Sequence, residues 1–305
     1  MSEKKLNGLF APRYWGVWFI FGLVSLLVWL PLRWQYALGK FFGRLAFSRY
    51  SRRKTIIKRN LELAYPTTAL RKREAIASEC MESLSMTLVE TLFVWLRGVK
   101  PLINRIKIAG VEHIQQSSGN GVIVLGAHFA SLDLCVSALA AHVPLGATYR
   151  KFKHPVVEYF AKRSRERCYA QLFEASHLKS IVGALQQGKS IWFAADQDMG
   201  NRKSTCFVPF FNIETSTTIT PYRLARHTGA KLLFMSHERI EKDLRWEIRI
   251  HEVQPSTEPE PTCFETEATV VNSLIEEAVN QYPAQYFWVH RRFKSTKSGQ
   301  RRPYE

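Results

Sequence analysis

The sequence lacks what would staple it or load it with metal. Its cysteines (Cys80, Cys135, Cys168, Cys206 and Cys263) are dispersed, without a CxxC pair or ligand spacing. That excludes a disulfide framework and a zinc site, and reads as reduced thiols in a cytosolic setting. There is no HExxH, no phosphate-cradling GxxxxGK[ST] and no GxGxxG after a strand, so the expectation is no metal and no cofactor. Internal repeats are absent as well. Negative charge is scarce: 26 acidic residues face 43 Lys and Arg, a formal net charge of +17. Such a chain calls for acidic partners: nucleic acid, an anionic membrane, a phosphorylated substrate or an acidic protein. No finger or RNP-type motif accompanies the charge, so nucleic acid is not the expected partner. At 305 residues and 46% hydrophobic, the chain is long and apolar enough for a globular core.

What is there begins with a long uncharged run. Between Arg13 and Arg33 the chain reads "YWGVWFIFGLVSLLVWLPL", 19 residues, close to the ~20 that cross a bilayer core. Tyr14, Trp15, Trp29 and Trp34 at its ends suit the membrane interface. A cleavable signal peptide is the competing reading, but no small-x-small site precedes a polar start. A membrane helix, or a helix lying deep in one leaflet, is expected over residues 1–35. Lys4, Lys5 and Arg13 precede the run; Arg33, Lys40, Arg44, Arg49, Arg52, Arg53 and Lys54 follow it. The positive-inside rule then puts the bulk of the chain on the cytoplasmic side of the inner membrane. The cluster "SRYSRRKTIIKRN" would sit against anionic headgroups of the membrane lipids.

From about Pro31 to Val99 the apolar period is helical, with Ala75, Ile76, Met81, Leu84, Leu88 and Leu92 near one side. After Gly98 the texture changes. "RIKIAGVEHI" alternates, and "GVIVLGAH" is an unbroken apolar run, as a strand buried on both faces requires. Helices are expected after His128, from Pro155 to Arg167, and before Gly188 and Gly229, the last two each followed by a strand. "RWEIRIHEV" alternates through Trp246, Ile248 and Ile250, and a last helix runs to about Tyr282. Strands alternating with helices predict an α/β fold: a mixed, largely parallel sheet flanked by helices. Residues 36–305 form a single domain in this reading, with 36–100 helical and 101–305 carrying the sheet, behind the N-terminal membrane-associated segment.

His128 stands at the end of the strand Val122–Leu125, where α/β sheets collect ligands. Asp133 follows five residues on, a spacing that does not share a face of one helix. The two meet if His128 is in the loop and Asp133 in the first turns of the next helix; the acid would then fix the tautomer of a general base. The alternative is a surface loop with Asp133 or Ser131 as a cap. Ser131 as a nucleophile is disfavoured, because the GxSxG elbow is missing.

"HFASLD" fits the H-x4-D motif of glycerolipid-type acyltransferases. "ATYRKFKHP", "SIWFAADQDMG", "CFVPFF" and "PAQYFWVHRRFK" follow it in order. That series, with the apolar N-terminus, resembles the late acyltransferases of lipid A biosynthesis over about residues 10–300. The resemblance implies transfer of a fatty acyl group from the thioester of acyl carrier protein. The acceptor would be the 3-hydroxyl of an acyl chain already on a membrane-bound lipid A precursor. It further implies no metal and no acyl-enzyme, with His128 as base and Asp133 orienting it and stabilising the imidazolium. An H-x4-D enzyme acting on another membrane glycolipid or phospholipid keeps the same residues. A non-enzymatic basic membrane-binding protein would make them incidental.

The other blocks supply candidate substrate-binding residues. Arg150 would grip a phosphate or sugar acid, or belong to a solvated loop; Arg165 and Arg167 share that ambiguity. Asp196 and Asp198 end a strand on the edge of His128, where they would bind sugar hydroxyls or, better, hold neighbouring arginines. Pro209, with Phe207, Phe210 and Phe211, makes an apolar wall beside an acyl chain, or core. Arg291 and Arg292 would serve the acceptor or the acidic carrier protein. Some members of the family have Glu where this chain has Asp133, and the "DQD" and "VHRRFK" blocks resemble different branches. The acylated position and the acyl chain length therefore stay open.

Overall fold

A computed structural model describes residues 8–49, 51–116, 119–174 and 177–304. The N-terminal third is helical: α1 (Trp15–Leu27), α2 (Leu32–Arg49), α3 (Ser51–Ala64) and the long α4 (Leu70–Arg97). Strands and helices then alternate: β1 (Ile106–Ala109), β2 (Val122–Gly126), α5 (Leu132–Ala140), β3 (Leu145–Tyr149), α6 (Pro155–Cys168), β4 (Gln171–Glu174), α7 (Leu178–Gln186) and β5 (Ser190–Ala194). A hairpin, β6 (Thr205–Phe210) and β7 (Ile213–Thr218), interrupts the pattern before α8 (Thr220–Thr228), β8 (Lys231–Ile240), β9 (Arg245–Glu252) and α9 (Thr262–Gln281).

The main sheet is seven-stranded in the order β1-β9-β8-β2-β5-β3-β4. All its pairings are parallel except β8 with β9. The mixed, largely parallel sheet expected from the alternation is what forms. Val122 to Leu125 are each at most 1% exposed, because both faces of β2 are covered. Ile123 and Leu125 enter one core, with α3, α7, α8 and α9; Val122 and Val124 enter a second, with α5 and residues of α2. The side chains of one strand alternate between faces, so the two cores lie on opposite sides of the sheet. Gly188 and Gly229 take φ of 76° and 70°, the left-handed conformation of a helix terminator.

The N-terminus departs from a single spanning helix. α1 has 13 residues, about 20 Å at 1.5 Å each, against a hydrocarbon core of about 30 Å. No helix among the described residues is long and apolar enough to cross a membrane. The break has a local cause. The Val28 carbonyl, instead of continuing the helix, accepts from the Gln35 amide at 3.2 Å and from Arg97 at 3.0 Å. The Leu30 carbonyl also takes the Gln35 amide, at 2.7 Å, and Pro31 has no N–H to carry the ladder on. Position 35, the expected end of the anchor, thus falls inside α2 and is bonded back to the turn. α1 packs Phe21 on Phe160 of α6, ring centroids 4.2 Å apart, and leaves Trp15, Phe19, Ile20, Leu23 and Leu26 exposed.

Candidate active site

Two strand ends in register build the site. β2 and β5 run parallel with Gly126 opposite Ala194, so His128 and Asp196 each lie two residues past the end of adjacent strands. The Ala195 amide still donates to the Gly126 carbonyl at 2.9 Å, and one step on Asp196 meets His128 twice. Its Oδ2 accepts the His128 backbone N–H at 3.0 Å, and its Oδ1 lies 2.7 Å from the ring Nδ1. Asp196 is fully buried, while the His128 side chain is 24% exposed. The other ring nitrogen, Nε2, is 3.2 Å from the Gln197 amide on the open side.

The electrostatics follow from this pairing. Burial pushes the His128 imidazole down, but the charge and hydrogen bond of Asp196, with Asp133 adding, carry it above its ordinary value. For Asp196, burial alone would raise the carboxyl; His128 and the nearby His290 hold it far below the usual carboxylate range. The two other buried histidines near the site go the opposite way. Burial pushes His237 down to about 4, and lowers His290 despite the opposing charge of Asp196. Burial thus favours the neutral form of both, whereas His128, partly exposed and held by Asp196, is the imidazole of this cluster placed to exchange protons.

The loop that carries His128 is braced from both sides. The Ala130 amide donates to the Gln285 carbonyl at 2.7 Å and the Phe287 amide to the His128 carbonyl at 2.9 Å, which fixes the distant "PAQYFWVHRRFK" block onto the loop. Ser131 is buried with φ 65°, a conformation that costs a residue with a side chain of the order of 1–3 kcal/mol. Its Oγ accepts from Trp246 Nε1 at 3.1 Å and Arg239 at 3.4 Å, and its N–H donates to Thr87 Oγ1 at 3.2 Å. Arg239 in turn pairs with the buried Glu90 at 3.1 Å, which also accepts from Trp246 and the Tyr36 hydroxyl. So engaged, Ser131 is a fixed corner of the loop. The sequence does not single out Glu90, Arg239 or Gln197, and shows Trp246 only as a position in an alternating segment. The available signal was a lone carboxylate in the apolar helical stretch "TLVETLFVWL".

The expected pairing of His128 with Asp133 is not the one formed. Asp133, in the first turn of α5, lies 4.0 Å from Arg165 and reaches His128 only through its field. The five-residue interval starts a helix at Leu132, whereas the partner strand delivers Asp196 directly onto Nδ1. Arg165 also lies over Phe152, 5.5 Å from the ring centre. Arg150 is exposed just past β3, on the same sheet edge.

Four other candidates have structural partners. Arg167 donates to the Trp95 carbonyl at 2.5 Å, tying α6 to α4. Arg292 is fully buried on the Ser216 carbonyl, Thr217 and Asn272, so it holds the hairpin to α9 and is out of reach of a substrate. Asp198 accepts the backbone N–H groups of Gly200 and Ser295 at 2.8 and 2.7 Å. The Pro209 carbonyl accepts from Asn272 at 2.7 Å, and its neighbour Phe210 is core. Arg291 is half-buried over Tyr304. Next to His128 a groove of about 610 Å³ runs from Phe287 along Met81, Leu84 and Leu88 of α4, with Arg53 at its rim. The Phe287 and His128 ring centres are 6.1 Å apart.

The chain is similar to known proteins over nearly its whole length. The lipid A biosynthesis palmitoleoyltransferase of Escherichia coli (strain K12) is 35% identical over 292 residues, covering 95% of this chain and 94% of that one. The lipid A biosynthesis lauroyltransferase of the same organism is 32% identical over 299 residues, 97% of each chain. The lipid A biosynthesis myristoyltransferase is 27% identical over 322 residues, 100% and 98%. The model of the family described as bacterial lipid A biosynthesis acyltransferase matches residues 3–295, nearly the whole length, and the chain therefore belongs to that family.

Proposed function

We propose that this acyltransferase of lipid A biosynthesis moves a fatty acyl group from the thioester of acyl carrier protein to a hydroxyl of a lipid A precursor, in one direct step at the cytoplasmic face of the inner membrane. The observation that carries the reading is the His128–Asp196 pair. With Oδ2 of Asp196 occupied by a backbone N–H, Oδ1 accepts Nδ1–H, and the lone pair of Nε2 accepts from the exposed Gln197 amide, which a substrate hydroxyl would displace. An alcohol is a weak nucleophile at neutral pH. His128 takes its proton as the oxygen attacks the thioester carbonyl; the new C–O bond forms, the C–S bond breaks, and the imidazolium returns the proton to the leaving thiolate. Asp196 and Asp133 stabilise the imidazolium, as their upward pull on His128 implies. The groove along α4 supports an apolar chain beside the reacting atoms, and Arg150 and Arg165 are the cations for phosphate on the acceptor.

The test is a detergent assay with acyl carrier protein charged with saturated chains and a tetra- or penta-acylated lipid A precursor, read by mass spectrometry. The wild type is expected to add acyl mass. His128→Ala is expected to lose roughly 10²–10⁴ of the rate. Near-normal turnover by the folded variant would sink the assignment of the base. Wild-type transfer to a different glycolipid only would move the acceptor.

A further inference from the structure

Beyond the site, four cations frame a cavity of about 370 Å³ beside the β6–β7 hairpin: Arg202, Lys203, Arg223 and Lys297, with Glu265 as the carboxylate among its lining residues. They come from three separate parts of the chain, and the fold holds them together. Asp198 clasps the backbone of Gly200 and of Ser295, which draws the turn carrying Arg202 and Lys203 towards the segment carrying Lys297. Thr205 caps the same turn, accepting the Arg202 N–H at 3.0 Å and donating to the Gly200 carbonyl at 3.0 Å. Arg223 donates to the Lys203 carbonyl at 2.9 Å and lies over the Phe264 ring. Among the described residues no carboxylate pairs with Arg202, Lys203 or Lys297, although ion pairs are common elsewhere on this surface. Four cations gathered around one carboxylate leave an excess of positive charge that repels itself, so the arrangement is costly unless a further anion completes it.

The shape and place of the cavity select the kind of anion. Phe207 and Phe264 line it beneath a cationic rim, which suits an acidic amphipathic helix presenting carboxylates around an apolar side chain better than it suits a bare headgroup. Its wall residues Cys206, Ile219 and Phe264 belong to the core on one face of the sheet. α1, with its exposed aromatic side chains, packs through Phe21 on Trp95 and Ala161, beside α6 on the other. A membrane met by α1 would leave this cavity facing the aqueous phase. The cavity is also close to the chemistry along the chain: from Asp196, on His128, to Arg202 the backbone spans at most about 20 Å. A flexible pantetheine arm reaches that far.

We infer that this cavity docks the acidic face of the carrier protein that presents the acyl thioester, an inference that rests on the proposed reaction and names the surface its donor uses. The experiment compares wild type with Arg202→Glu/Lys203→Glu/Lys297→Glu; all three side chains are exposed, and a thermal melt checks the fold. The Michaelis constant for the carrier-borne donor is expected to rise about tenfold or more, with kcat and the Michaelis constant of the lipid acceptor within about twofold. Turnover of an acyl-pantetheine donor, which lacks the protein, is expected to be unchanged. Binding of unacylated holo-carrier protein, followed by fluorescence anisotropy, should weaken by the same factor. An unaltered constant for the carrier-borne donor overturns the inference, as does an equal rise for the lipid or loss of binding to anionic vesicles instead. The anisotropy arm needs no turnover, so a wild type that binds the carrier without transferring acyl groups would fault the reaction and spare the surface.

Discussion

Which carboxylate serves His128 decides what the imidazole can do. Asp196 presents one oxygen to a backbone N–H, which can only donate, and the other to Nδ1. In Asp196→Asn the amide oxygen is drawn to that backbone donor and the NH2 is turned to Nδ1. The ring must then accept at Nδ1 and carry its proton on Nε2, the tautomer that cannot act as base. Expected loss is therefore close to that of removing the base, roughly 10²–10⁴ in kcat. The residual activity has a signature. Asp196 raises the His128 pKa, and a base is lost as pH falls through its pKa, so removing the charge moves the acid limb of the pH–rate profile to lower pH. Asp133→Asn is expected to move that limb in the same direction by less and to cost far less rate, because the tautomer is untouched. Profiles of the two variants in which Asp133→Asn is the more damaging would return the orienting role to Asp133. The sequence singles out His128 because a polar residue at the end of an apolar run is a local feature. It pairs that histidine with Asp133 and not with Asp196, the carboxylate that sits on Nδ1, because Asp196 becomes a neighbour only through the parallel register of β2 and β5, which lies outside any local window.

At the scale of elements, the loop of His128 is held by the part of β8 that outruns β2. Met235 pairs with Gly126, and β8 continues to Ile240, carrying Arg239 past the sheet edge to meet α4. There Arg239 and Glu90, each 1% exposed in the side chain, join α2, α4, β8 and β9 around Ser131. Removing one member of a buried pair leaves the other charged and unsolvated, so Arg239→Met is expected to cost about 3–5 kcal/mol of stability. Replacing both members, Glu90→Leu with Arg239→Met, should recover a large part of that. Denaturant midpoints of the two proteins check it; a double variant no more stable than the single one would mean the loss is packing, not charge. The single variant should also lose turnover, since Ser131 no longer has two donors keeping its left-handed corner. Most of these elements were legible as strands or helices from their period and their glycine stops. The overshoot of β8, the antiparallel pairing of β9 and the inserted β6–β7 hairpin were not, because they are decided by pairing between segments.

Across the whole molecule, apolar and basic surface combine at one end. The exposed residues of α1 are followed along the chain by exposed Trp29 and Trp34 and by Phe41, Phe42 and Leu45 of α2, a concentration of large apolar side chains of the kind that marks an interaction surface. Arg13, Arg33, Lys40, Arg44 and Arg49 belong to the same stretch of chain. A short helix with such a face would lie in one leaflet more readily than span two, and the flanking cations would then meet the headgroups. The two contributions separate by salt. Apolar insertion is indifferent to ionic strength, whereas the attraction of the +17 chain for anionic lipid is screened as the Debye length falls from about 10 Å at 0.1 M to about 3 Å at 1 M. Binding to anionic vesicles is expected to drop with salt to the level of neutral vesicles and stop there. Phe19 and Leu26 are 67% and 69% exposed, and burying each such side chain is worth about 1.5–3 kcal/mol. Phe19→Asp/Leu26→Asp should therefore lower partition into neutral vesicles about 100-fold or more, read by flotation, with the fold intact because neither side chain belongs to a core. Unchanged partition of the double variant at high salt would mean that another surface meets the bilayer, and would remove the reason for placing the cationic cavity on the aqueous side.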